Sequence, residues 1–157
     1  LLRAAEGMLL AGESETADVM LARAEQWEAQ GKLANDDTRR LRRLRAARFE
    51  QAGKHAEAVA AYQRLLEIDP RNGRALIDLG GVYRRLGEPE RALMAYERAE
   101  RVAGYAAEAL VRQAQVEVDR GRFARAADLL ENAQVIESKP AVGRYLEQVR
   151  RLARLQP

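Results

Sequence analysis

The sequence predicts an all-α chain made of stacked antiparallel helix pairs, and three observations carry that prediction. Hydrophobic residues make up 47% of the 157, yet aromatics are only 5% and prolines number four. The chain is therefore rich in alanine and long helix formers rather than in large side chains for a deep globular core. A pattern returns every 34 residues: Gly53, Gly87 and Gly121; Ala58, Ala92 and Ala126; Tyr62, Tyr96 and Leu130. Within each period the apolar residues keep helical spacing. Leu76, Leu79, Gly80 and Tyr83 stand at i, i+3, i+4 and i+7, which is one stripe of a helix.

Taken in order, helices are predicted near residues 1–11, 14–30, 36–52, 55–68, 72–86, 89–103, 105–120, 122–136 and 140–155. The first pair (approximately 1–34) is irregular. Gly12, Ala17, Leu21 and Ala24 reproduce the offsets of Gly121, Ala126, Leu130 and Ala133, but Gly12 and Gly53 are 41 residues apart. The insertion WEAQGKL, residues 27–33, accounts for the excess by lengthening a helix. Trp27, the only tryptophan, is expected to pack beneath this irregular loop, with a partner anchor as the alternative reading.

The second unit (39–72) opens on Arg39, Arg40, Arg42, Arg43, Arg45 and Arg48, six arginines in ten residues with no acid. An arginine-rich solvated face is the plain reading; a basic patch for an acidic protein and a polyanion site are the functional ones. In the third unit (73–106), Gly87 sits where a helix end favours a left-handed residue, and Pro89 suits the first turn of the next helix. Ala92 is placed opposite Gly80 so that the two helices approach closely, with Tyr83 and Tyr96 filling the next level. The fourth unit (107–138) carries Glu117 at the position of Phe49 and Tyr83. The last helix, 140–155, has Val142, Tyr145, Leu146, Val149 and Leu152 on one stripe and Arg144, Arg150, Arg151 and Arg154 off it. It reads equally as a cap on the stack or as the opening helix of a further pair. One pair cannot bury its apolar faces alone, so pairs must stack.

The period and the residues at its fixed positions resemble the tetratricopeptide repeat family. The third unit matches best, through Leu79, Gly80, Tyr83, Gly87, Ala92, Tyr96 and Ala99; the second adds Ala46, Phe49, Gly53, Ala58, Tyr62 and Pro70 with an Asp-Pro-x-Asn turn. Arg42, Arg45 and Glu117 depart from the family pattern, and Gly104 and Ser138 stand in place of its terminal proline. The resemblance implies one repeat domain over residues 1–157: a right-handed superhelical α-solenoid of about four antiparallel helix pairs plus a C-terminal capping helix. It also implies a non-catalytic protein–protein interaction scaffold whose concave wall is lined by the first helix of each unit.

On that basis the partner-binding candidates are Arg40, Arg43, Ala47 and Glu50 on the second unit, and Arg74, Ile77, Asp78, Gly81, Arg84 and Arg85 on the third. Val111, Arg112, Gln115 and Val118 follow on the fourth, with Leu2, Glu6 and Leu9 on the first. Ile77 is expected to offer apolar contact, and the excess of arginines favours an acidic peptide or helix. The Lys and Asn clamp by which chaperone-binding members hold a C-terminal carboxylate is absent, since the matching places hold Leu2, Glu6, Arg43, Ala47 and Asp78.

Other chemistry finds little support. There is no cysteine for a disulfide or thiolate site, and Gly80-Gly81 has no Lys-Ser/Thr after it to make a phosphate loop. The single histidine, His55, reads as a turn residue rather than a ligand or base. Ser14 and Ser138 fall at helix ends, where capping explains them. Glu97 and Arg101 read as a surface ion pair. No enzyme, cofactor, metal or small-molecule substrate is expected. A net charge of +3 on 51 charged residues is a mixed surface, which disfavours nucleic acid. The apolar runs reach only about five residues, far short of the roughly 20 that span a bilayer. Of the 27 basic residues only Lys32, Lys54 and Lys139 are lysine, a usage that follows a GC-rich bacterial genome. The chain opens on Leu1, as expected of a piece of a longer multi-repeat protein, which leaves periplasm and cytoplasm both open. A structural module of an envelope, secretion or exopolysaccharide-export assembly is the alternative function.

Overall fold

A computed structural model describes residues 1–155, apart from the side chain of Ser14, so the capping expected there lies outside the described residues. Among the described residues there are nine helices and no strand. They are α1 (Leu2–Ala11), α2 (Ser14–Ala29), α3 (Asn35–Gln51), α4 (His55–Ile68), α5 (Gly73–Arg85), α6 (Pro89–Glu100), α7 (Ala106–Asp119), α8 (Phe123–Ile136) and α9 (Pro140–Leu155). Every predicted helix is present, and the chain is an all-α solenoid of helical repeats. It divides into two compact units, Leu1–Pro70 and Arg71 onward.

In the first unit, α1, α2 and α3 share a core of Leu2, Ala5, Leu9, Ala17, Leu21, Ala24, Leu41 and Leu44. Leu2 and Leu9 are buried, not on an exposed inner stripe, because α1 turns these two leucines toward α2 and α3 while Leu10 stays exposed. Ala46, Ala58, Tyr62, Leu65 and Leu66 are buried along α3 and α4. The inserted segment leaves α2 at Ala29 and turns at Gly31. It does not cover Trp27, which is 37% exposed, with the Arg23 guanidinium 5.6 Å from its ring.

In the second unit each turn follows from its residues. Gly87 adopts φ 71°; its N–H donates to the Arg84 carbonyl, and that of Glu88 to the Tyr83 carbonyl, so the end of α5 is satisfied. Pro89 then starts α6. The fit between α5 and α6 differs from the expectation in its partner: the space a Cβ would take on Gly80 belongs to the Tyr96 ring, 2.3 Å from that point. Ala92 is fully buried nearby in the same helix pair, while Tyr83 stacks under Arg91 at 4.2 Å and accepts its hydrogen bond. α6 ends at Glu100, which carries Arg101 past the last turn, and no ion pair forms between Glu97 and Arg101.

α8 and α9 close this unit around Ala114, Ala126, Ala127, Leu130, Leu146 and Val149, with Val142 and Tyr145 half-buried against them. Leu152, expected on the packed stripe, is 42% exposed.

Candidate functional site

The candidate residues fall on both units and behave differently in each. In the first unit none of the six arginines on α3 stands alone. Arg40 and Arg43 both donate to the Glu6 carboxylate of α1. Arg42 donates to Glu28 at 3.0 Å and Arg48 to Asp18 at 2.9 Å, while Arg45 donates to Glu25 with Asp18 at 4.0 Å. Arg39 reaches Asp36 at 3.0 Å and Asp69 at 3.7 Å. Neither a solvated face nor an open basic patch describes this row. Apart from Asp36 of α3 itself, the acids that answer it come from α1, α2 and the end of α4, so they are remote in sequence. Arg40 first and Arg43 with it hold the Glu6 carboxyl below its ordinary range, against the opposing effect of burial. The Glu25 hydrogen bond likewise pushes Arg45 up. Ala47 and Glu50 are half-buried on the same helix. A charge reversal at Arg43 therefore breaks a contact inside the first unit.

In the second unit the candidate residues of α5 and α7 form one polar chain. Arg74 bridges Asp78 at 3.0 Å and Glu108 at 3.9 Å; Glu108 meets Arg112 at 3.6 Å. The Gln115 side-chain oxygen accepts from both Arg112, at 3.4 Å, and Arg84, at 3.3 Å, and Arg84 ends the chain on Asp119 at 3.0 Å. That last contact raises the Arg84 pKa. Beneath lies Gly81, from which a Cβ would be 3.9 Å from the Tyr96 hydroxyl and 3.7 Å from Arg85. Burial pushes the Tyr96 phenol up, with Arg112, Arg84 and Arg85 acting the other way. Ile77 is not on this surface. It is 3% exposed: one turn before Gly81 on the same side of α5, it is covered by what packs against that side of the helix.

Beside the polar chain, α7 and the α8–α9 turn enclose a groove of about 420 Å³. Ala107, Val111, Ala133 and Val142 make its floor, and Glu108, Arg112, Gln115, Glu137 and Lys139 its rim. The Gln134 side chain fixes the turn by donating to the Lys139 carbonyl at 2.7 Å and accepting from the Lys139 N–H at 3.0 Å. Gly143 makes room for it, since a Cβ there would meet the Gln134 amide at 3.2 Å. The repeat pattern points to Val111, Arg112 and Gln115 but misses the other wall, whose only signal is the Ser-Lys-Pro turn before α9. Around the two features Arg74, Arg84, Arg85, Arg112 and Lys139 face Asp78, Glu108, Asp119 and Glu137, so the surface is nearly balanced in charge.

Among the described residues no group of three or more His, Asp or Glu is placed to hold a metal, and no helix is long and apolar enough to cross a membrane. His55 opens α4 half-buried, not in the turn. Glu117, at the family's aromatic position, is 1% exposed; Arg122, Arg125 and Arg120 surround its carboxylate at 3.6, 3.7 and 3.8 Å.

Comparison with known proteins adds two overlapping matches to models described as tetratricopeptide repeat, over residues 50–104 and 78–141. No curated protein matches the chain significantly. Among solved structures, the chain is similar to Pseudomonas aeruginosa pilF at 20% identity, covering 98% of this chain and 67% of that one with a TM-score of 0.81. The Yersinia enterocolitica type III secretion chaperone SycD, in complex with a peptide of the translocator YopD, aligns at 23% identity over 74% of this chain and 89% of its own, TM-score 0.63. A tetratricopeptide repeat protein from Parabacteroides merdae aligns at 20% identity over 94% of this chain but 56% of its own, TM-score 0.72.

Proposed function

The chain belongs to the tetratricopeptide repeat family, and from that premise we propose that it is a non-catalytic scaffold whose second unit docks a segment of a partner protein. Protein–protein interaction is the general work of the fold. The observation that carries the specific reading is the groove between α7 and the α8–α9 turn, with an alanine and valine floor and a charged rim. Such a floor accepts an apolar side chain and lets a ligand backbone come close. The polar chain of α5 and α7 offers guanidiniums and carboxylates already held in place, which lowers the ordering cost on binding. A partner segment that seats one or two apolar residues, with a carboxylate near Arg112 or Lys139, suits the site. Its charge contacts lie at an exposed rim, so each contributes about 0.2–1 kcal/mol and acts mainly on association rate. SycD, of the same fold, carries a bound peptide, which supports a peptide as the class of ligand.

Selection from a random peptide library on the full chain tests the proposal. Peptides recovered on the parent are expected to lose at least about tenfold in affinity for Val111→Arg, which fills the groove, and for Arg112→Glu with Lys139→Glu, which reverses its rim. Reversing Arg64 and Arg98, both exposed on second helices, is expected to change nothing. Peptides that bind the groove variants as well as the parent, while circular dichroism shows those variants folded, overturn the proposal.

A further inference from the structure

The contact of α3 with α1 and α2 combines an apolar layer with an unusual amount of charge. Only Leu41 and Leu44 of α3 join the core formed with these two helices. On either side of them Arg40 and Arg43 grip Glu6, and Arg42, Arg45 and Arg48 take Glu28, Glu25 and Asp18. Gln51 adds a hydrogen bond to the Leu9 carbonyl at 3.0 Å. Four carboxylates on two helices thus converge on one arginine row, and every one of the four is partly open to solvent. Ion pairs of that exposure yield to screening and to competing anions.

We propose that the α1–α2 hairpin is an ionic latch: its four carboxylates occupy a docking row on α3 that an acidic segment of a partner protein takes over by displacing the hairpin. The chain's own acids display the chemistry of the ligand, namely carboxylates spaced along a helix with apolar residues between them, as Leu21 and Ala24 lie between Asp18, Glu25 and Glu28. Opening uncovers Leu41 and Leu44 together with the five guanidiniums, an apolar and basic surface that such a segment covers as the hairpin does. The hinge is the 30–34 connection, where Gly31 holds φ 66°. The latch belongs to the first unit and is independent of the groove in the second.

The test is backbone amide exchange of the full chain at low salt, with and without poly-L-glutamate as the probe. Poly-L-glutamate is expected to speed exchange across α1 and α2 by about tenfold or more while α6 to α8 stay unchanged, and about 1 M salt, with its Debye length near 3 Å, is expected to do the same. Trp27 fluorescence should report the same opening, since α2 holds the only tryptophan. The variant Glu6→Gln, Asp18→Asn, Glu25→Gln, Glu28→Gln is expected to bind poly-L-glutamate at least about tenfold more tightly than the parent. Exchange in α1 and α2 that ignores both probe and salt overturns the latch, as does a rise spread evenly over both units. A variant no tighter than the parent overturns it too. Displacement by polyuridylate but not by poly-L-glutamate overturns the assignment to a protein segment.

Discussion

Gly80→Ala isolates the closest helix approach in the second unit. Two effects oppose one another. Alanine in a helix interior is favoured over glycine by about 1 kcal/mol. Against that, the new methyl falls 2.3 Å from Cε1 of Tyr96 and 2.7 Å from its Cδ1 and Cζ. Tyr96 is 1% exposed, so its ring has no empty space to swing into. Overpacking of this kind costs about 1–3 kcal/mol, and a contact this short belongs at the upper end. The net expectation is a loss of about 1–2 kcal/mol, or about 2–8 °C in Tm at the scale of 2–4 °C per kcal/mol for a chain this size. Tyr96→Val removes all three ring atoms, so in that background the same substitution should turn stabilising by about 1 kcal/mol. The cycle of four proteins, followed by urea unfolding and circular dichroism, should give a coupling of about 2–3 kcal/mol. A substitution at Gly80 that is neutral or stabilising in the parent, or equally costly in both backgrounds, refutes the packing argument.

Other outcomes follow from the same reasoning. Ala92→Glu puts a carboxylate at a fully buried site in the α5–α6 pair, and unfolding should become easier by several kcal/mol, read in urea. Glu117→Met replaces a buried carboxylate that has ion-pair neighbours but no hydrogen bond. Because Arg122 and Arg125 are solvent-exposed and Arg120 keeps Glu90 at 3.1 Å, the change should be neutral or stabilise by about 1 kcal/mol; a loss above about 2 kcal/mol contradicts this. The Glu6 carboxyl is depressed in the folded chain, so its contribution is complete above its unfolded value and disappears as pH falls through the lower folded one. Protection of α1 from amide exchange should fall below about pH 4, and Glu6→Gln should remove that part of the pH dependence.

The helices were legible because a 34-residue period and an i, i+3, i+4, i+7 stripe are local properties of the chain. Gly87 and Pro89 even gave the α5–α6 turn. The arginine row was not legible. Apart from Arg39, which meets Asp36 within α3, each guanidinium finds its acid 14 to 37 residues away on another helix, as with Arg42 to Glu28 and Arg43 to Glu6, and the run read by itself shows charge with nothing to answer it. Ile77 was misplaced for a related reason: its own helix carries Leu76 and Leu79 on the packing stripe, and the burial of Ile77 depends on what lies against the adjacent face. Half of the groove was hidden as well, since Lys139 and Val142 belong to no repeated position, and they meet Ala133 only through the turn that Gln134 ties.

The most direct test of the docking account is a methyl chemical-shift map of the full chain with a peptide selected on it. The largest shifts are expected on Ala107, Val111, Ala133 and Val142, the floor of the groove. Shifts concentrated on Met94 of α6 and Val135 of α8, both exposed, with the floor methyls unmoved, would contradict it.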